Sequence, residues 1–328
     1  MKKILLASLS LFSVAGAQTS PVAPAPLLKL NAPVGTTVEL RSVTTSRMTV
    51  SDIQVTAKPG GKATPAQVEE ARRAMQDGLG AMNRAGTTTV NGKAFYKVAG
   101  RDAAGNTTLI NSIVQTMPAA AGKKAENLTI RITQVISPDG QASGLKMESD
   151  QPQVNAMFKN LTPEKLQQMT KDMSGNDAGI YATPLRQGEP RTSTVSLDMQ
   201  DLMNSLIGSL AGPNAGKLFG SMNATPLTVT STTTYQGLNA AGQHAFTTRS
   251  EAANWKFSLN SQDKSIPMNI TAEVLSNESS GTSTYSVTGL PATLNQKTNM
   301  NMKMTMEMDD IQVSMIMTID QTVTMQPR

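Results

Sequence analysis

The sequence predicts a mainly β protein with helices, an α+β fold built on one large curved antiparallel sheet with about three amphipathic helices. Apolar residues alternate with polar ones along most of the chain, and turn residues punctuate the alternating runs at short intervals. A few stretches instead repeat their apolar residues at helical spacing.

The alternation is strongest near the end. Of 21 methionines, eight lie between Thr298 and Met325. Met300, Met302, Met304, Met306 and Met308 take the even positions. After Asp309-Asp310, the odd positions carry Ile311, Val313, Met315, Met317, Ile319, Val323 and Met325. Side chains two residues apart share one face of a strand, so each run is one apolar stripe. The switch of parity has two solutions, a two-residue hairpin turn or a bulge in one long strand. A hairpin sets Met308 opposite Ile311, Met306 opposite Val313, Met304 opposite Met315 and Met302 opposite Met317, all on one face. The same switch occurs in Met48–Val55, which is identical to Met306–Val313 at five of eight positions.

Taken in order, the chain opens with Lys2-Lys3, an apolar run Ile4–Val14 and a small-residue site Ala15-Gly16-Ala17. This pattern predicts a signal peptide over 1–17, hence export to the periplasm, the cell envelope or the exterior. The run is too short to span a bilayer, which takes about 20 apolar residues, and no later stretch is long enough. Residues 18–35, with Pro21, Pro24, Pro26 and Pro33, read as an extended leader ahead of the fold. The remainder, 36–328, reads as a single β-rich domain. Two packed halves, 36–150 and 221–328, joined by a helical segment 151–220, are the alternative.

Within it, Thr64-Pro65-Ala66-Gln67 is a capping box with proline at the first helical position. The helix it starts runs to about Met82, with Val68, Ala71, Met75 and Leu79 along one side. Thr162-Pro163-Glu164 predicts a second helix carrying Leu166, Met169 and Met173. Ser196 or Asp198 caps a third, with Leu202, Met203, Leu206 and Leu210 in a wide apolar stripe. Residues 172–190 read as a loop between them. Strands are expected over 36–55, 87–98, 107–117, 127–137, 227–236, 243–249, 254–260, 266–275 and 282–288, followed by the final pair. Their short connections favour antiparallel neighbours.

Composition excludes much chemistry. There is no cysteine and one histidine, His244. A cysteine nucleophile and a structural zinc site are therefore absent. A serine triad would need His244, yet no Gly-x-Ser-x-Gly elbow presents a serine. Gly212–Leu218 is one residue short of a phosphate loop and lacks its Ser/Thr. Adjacent Asp309 and Asp310 point in different directions and serve as turn or bulge residues rather than an acid–base pair. Without Lys2 and Lys3 the charge is 27 basic against 24 acidic residues, scattered, and aromatic residues are 3%. Neither a phosphate-binding stripe nor a stacking platform for nucleic acid follows from that. The expectation is a protein that is not an enzyme, without catalytic residues, cofactor or dedicated metal site.

What remains is the methionine surface. Methionine is flexible and polarizable, suited to an adaptable apolar surface. The candidate ligand-binding residues are Met302, Met304, Met306, Met315 and Met317 on the strands, with Leu202, Met203 and Leu206 of the third helix as a movable lid. Two other readings stand beside this. The same face is simply core in a structural or accessory envelope protein. Or cross-strand thioethers such as Met304 and Met315 hold Cu(I), or act as an oxidant sink.

The cleaved leader, the long antiparallel meander and a few amphipathic helices over an apolar side together resemble periplasmic lipoprotein-carrier half-barrels of the LolA and LppX kind. The Met-x-Met-x-Met strands, with Ser137-Pro-Asp-Gly140 and Gly289-Leu-Pro291, also resemble an exported Met-rich β family of unknown function. The resemblance is architectural and transfers no functional residue. It implies a half-barrel with helices on its concave face, and a lipid or lipidated partner as ligand.

Overall fold

The computed structural model describes residues 25–84, 86–117, 126–159, 180–197, 200, 219–253, 255–261 and 268–328. Thirteen antiparallel strands form one sheet, and 66% of the described residues are strand. In chain order they are β1 (Thr37–Ala57), β2 (Thr87–Arg101), β3 (Thr107–Met117), β4 (Glu126–Ile136), β5 (Ala142–Ser149), β6 (Pro190–Leu197) and β7 (Phe219–Ala224). Then follow β8 (Leu227–Leu238), β9 (His244–Ala253), β10 (Lys256–Ser261), β11 (Met268–Tyr285), β12 (Pro291–Met308) and β13 (Ile311–Pro327). The spatial order is β5-β4-β3-β2-β1-β13-β12-β11-β9-β8-β6. The last strand therefore pairs with the first, and two meanders flank the long central strands.

β12 and β13 form a hairpin in the register that alternation predicts, with Met308, Met306, Met304 and Met302 opposite Ile311, Val313, Met315 and Met317. The turn needs a positive φ, and Asp309 supplies it at 48°. Aspartate tolerates that region better than most residues. In the echo at Met48–Val55 the other solution is used. β1 continues through a bulge between Ser51 and Gln54, with Asp52 at φ 48°. One local sequence pattern thus makes a turn where the chain has no partner to continue along, and a bulge where β13 runs on beside it.

On the edge away from β12, β11 serves two partners in turn. Its first half pairs with β10, its second half with β9, and β10 pairs onward with β7. The sheet forks here, at a bulge between Val274 and Ser276.

The sheet is curled but not closed. β4 and β9 stand seven places apart in the strand order. On a flat sheet that is about 33 Å, at about 4.8 Å per strand. Yet Ile132 and Gln134 of β4 line one cavity with Thr248 and Ser250 of β9. Only a curled sheet brings the two arms to one cavity. Among the described residues the outer strands β5 and β6 do not pair with each other.

Three helices packed on the concave face are not what the described residues contain. One long helix, α1 (Pro65–Arg84), packs on the sheet. A second, α2 (Pro152–Lys159), has eight residues and stands beside β5. α1 begins as its capping box predicts: the Thr64 amide donates to Gln67 Oε1 at 2.8 Å, and the Gln67 amide donates to Thr64 Oγ1 at 3.4 Å. The expected second helix from Thr162 and the body of the third lie outside the described residues. Ser196, one of its two suggested caps, belongs to strand β6 instead. β6 alternates Thr and Ser with few apolar residues, so its strand character is set by pairing with β8 rather than by a hydrophobic stripe.

Two cores hold the sheet. The larger lies at one end and includes Leu40, Val98, Leu109, Tyr181, Phe246 and Leu290. Leu28, Leu30 and Ala32, from the proline-rich stretch set ahead of the fold in the sequence reading, are buried in it. This segment is held as a strap. Arg101 Nη2 donates to the carbonyls of Leu30 (2.9 Å) and Ala32 (3.1 Å), and the Asn31 amide donates to the Thr288 carbonyl at 3.0 Å. The smaller core, Val50, Val55, Val313 and Met315, lies beneath α1 at the opposite end.

Candidate functional site

The concave face follows from parity and register. Leu40–Val50 present their even positions, and pairing carries that face across β2, β3 and β4 on one side and β13, β12, β11, β9 and β8 on the other. Along the strands it divides into three zones.

The first is the methionine end. Met302 faces Met317 and Met304 faces Met315 across the hairpin. Met315 is 3% exposed and Met302 is 9% exposed, while Met304, Met306 and Met317 are half-buried. Val68, Ala71, Met75 and Leu79 of α1 pack against the core of Val50, Val55, Val313 and Met315, and Met304 and Met306 pack against that same core. Asn83, near the end of the helix, fastens it to the bulged strand: its side chain accepts from the Val50 amide at 2.8 Å and donates to the Val50 carbonyl at 2.9 Å. The five strand methionines expected to bind ligand are thus brought together, and three of them belong to the core that α1 packs on. Leu202, Met203 and Leu206 lie outside the described residues.

The second zone is a band of small hydroxyl side chains. Ser231 pairs with Ser250 at 2.8 Å and Thr233 with Thr248 at 3.4 Å. Gln296 Nε2 and Thr298 Oγ1 both donate to Ser279 Oγ, at 2.8 and 3.2 Å. Ser42, Ser231, Thr233 and Ser283 are buried.

This band forms one wall of a cavity of about 320 Å³. Thr248, Ser250, Ser279, Ser283 and Gln296 line that side; Leu40, Ile113, Ile132, Leu145, Leu294 and Met325 supply the apolar lining. Asn111 also lines it, and its Oδ1 is buried without a hydrogen-bond partner. The cavity lies on the same face as the methionines but farther along. From Gln296 to Met302 is six residues of strand, about 20 Å. Met325 is the one methionine of the C-terminal stretch that reaches it.

The third zone closes the end of the cavity with aromatic rings. Tyr285 packs edge-on against Tyr181 and Phe246, with centroids at 6.1 and 5.8 Å, and Tyr235 lies 5.2 Å from Phe246. Tyr181 Oη donates to the Gly289 carbonyl at 2.7 Å. Tyr235 Oη lies 3.1 Å from His244 Nδ1. Burial raises the pKa of Tyr235 and lowers that of His244, so the imidazole is held neutral and the phenol protonated. The histidine is half-buried and bonded to a phenol. That arrangement orients an aromatic wall and presents no activated nucleophile.

Charge is sorted along nine stretches of this face. From Leu40 to Val50 in β1, Val90 to Tyr96 in β2, Leu109 to Gln115 in β3 and Leu128 to Gln134 in β4, every inward position is uncharged. The same holds for Val229–Tyr235, Phe246–Ala252, Asn277–Ser283, Leu294–Met306 and Val313–Met325. The charged residues of those stretches, among them Arg47, Lys93, Arg131, Arg249, Lys297 and Asp320, take outward positions. Among the described residues no three His, Cys, Asp or Glu side chains are grouped to hold a metal ion. No described helix is long and apolar enough to cross a membrane.

Comparison with protein-family models, curated proteins and solved structures gave no match. The cavity residues were missed in the sequence reading because they form no motif. They span Leu40 to Met325 and meet only when the sheet curls. A signal was present nonetheless, in the uncharged alternate positions of nine separate strand stretches.

Proposed function

We propose that this is an exported, non-enzymatic protein of the cell envelope that binds a hydrophobic ligand, a lipid or a lipidated partner, on the concave face of its sheet. The observation that carries the reading is the cavity of about 320 Å³ enclosed by both arms. Small-molecule sites run from about 300 to 1,000 Å³ and are mostly apolar with a few placed polar groups. This cavity has that size and that mixture. The leader over 1–17 supports export. The methionine end contributes as a continuation of the same face, with α1 as its cover. That cover also favours the second reading, in which Met304, Met306 and Met315 serve as core of an accessory envelope protein.

Mass spectrometry of gently purified mature protein tests the proposal. The expected result is a co-purified lipid, lost in the Leu145→Trp variant, whose larger side chain fills the cavity. Bound copper in place of lipid would favour the thioether reading. Protein free of both, which also fails to take up a neutral apolar dye, would leave the structural one.

A further inference from the structure

Resting on that reading of the cavity, we infer that its ligand is an uncharged amphiphile: one apolar chain with a neutral head of hydroxyl, ester or amide groups, and not a fatty acid anion or other charged lipid. The chemistry of the lining carries this. Among the described residues, none of the side chains that line the cavity bears a charge. The nine strand stretches around it are likewise uncharged at their inward positions, and the inward cations beyond them, Arg101 and Arg191, are given to carbonyls, of Leu30 and Ala32 and of Ala182.

A carboxylate or phosphate drawn into this space would lose hydration and gain no counter-ion. Burying an unpaired charge is far more costly than burying a neutral polar group that can be hydrogen-bonded. The polar strand positions that line the cavity hold Ser, Thr, Gln, Asn and Tyr, with no Arg or Lys among them to pair with an anion.

A neutral head, in contrast, finds partners. A hydroxyl side chain has one donor and two acceptor lone pairs. In the pairs Ser231–Ser250 and Thr233–Thr248 each contact uses one donor and one lone pair, which leaves further capacity at the cavity wall. Ser279 Oγ accepts from both Gln296 and Thr298, so its own proton is free to be given to a ligand oxygen. Across the cavity, Asn111 Oδ1 receives no hydrogen bond from the protein. A ligand hydroxyl reaching it would satisfy a group whose unpaired burial costs stability. The apolar lining, Leu40, Ile113, Ile132, Leu145, Leu294 and Met325, takes the chain.

The test is competition at pH 8 against bound N-phenyl-1-naphthylamine, a neutral fluorescent probe, on the full mature chain and below micelle-forming concentrations. 1-Oleoylglycerol and oleate carry the same chain and differ in the charge of the head. 1-Oleoylglycerol is expected to displace the probe at a concentration lower by about tenfold or more. Oleate competing equally or better would overturn the neutral class while leaving the binding reading intact. Failure of the protein to bind the probe or either lipid would overturn the binding reading itself, and this inference with it. Thr248→Lys supplies the missing cation and is expected to bring oleate level with 1-oleoylglycerol. If that variant does not fold, the comparison on the native chain still decides.

Discussion

His244 is the single titratable side chain of the chain that ionises near neutrality, and its setting has a consequence for stability. Half-buried against Tyr235, it has a pKa pushed below the ordinary 6.5 by desolvation of the charged ring. In the unfolded chain it takes up its proton sooner as pH falls, so the unfolded state binds more protons across that window. Stability is therefore present above pH 6.5 and declines from there down to the lower folded value. Thermal melts of the native protein and His244→Gln between pH 8 and pH 5 check this: the variant's melting temperature is expected to fall less over that interval. A native-like slope in the variant would assign the acid sensitivity to other groups.

At the scale of elements, the most consequential contact joins the strap 26–32 to the β11–β12 turn. Gly289 sits at φ +83°, and a Cβ there would meet the Lys29 carbonyl oxygen at 2.4 Å. Gly289→Ala is thus disfavoured twice, by its backbone conformation and by collision with the strap. The expected cost is about 2 kcal/mol or more, together with protease cleavage in residues 26–32 that the native protein resists. Unchanged cleavage would mean that the strap is held chiefly by Arg101 and its own leucines.

The elements also divide by how local their causes are. The β12–β13 hairpin and its register were legible because alternation and a parity switch are properties of adjacent residues. The start of α1 was legible for the same reason, since a capping box spans four residues. β6 was not, because its Thr-Ser-Thr sequence has no apolar stripe and forms a strand only against β8. The strap was not, because prolines mark an extended chain without saying whether Leu28 and Leu30 will find a core. At Met48–Val55 both solutions to the parity switch were legible, and the choice of a bulge depended on β13, some 260 residues away in sequence.

For the whole molecule, the organising fact is the sorting of charge across a curled sheet. The methionine surface announced itself by composition, and Met304, Met306 and Met315 proved to belong to the core that α1 packs on. The cavity gave no compositional sign except an absence, because Ser and Thr on an inner face read as ordinary strand residues until the curl places them opposite Ile113 and Ile132. This makes parity itself testable. Ser279 and Ser280 are neighbours on β11, the first facing the cavity beneath Gln296 and Thr298, the second exposed between Arg249 and Lys297 on the outer face. Ser280→Glu adds an anion beside two cations in water, where substitutions ordinarily stay within about 0.5 kcal/mol. Ser279→Glu places the same charge in a space with no cation, at an expected cost of about 2 kcal/mol or more, unless the carboxyl takes up a proton. Denaturant unfolding of the two variants at pH 8 measures the difference. It should narrow as pH falls toward 5, since a glutamate held in the cavity titrates above its usual range and regains stability when protonated. Equal stabilities at pH 8 would mean that water reaches Ser279 freely, and the enclosed, charge-excluding cavity would have to be abandoned along with the ligand class argued from it.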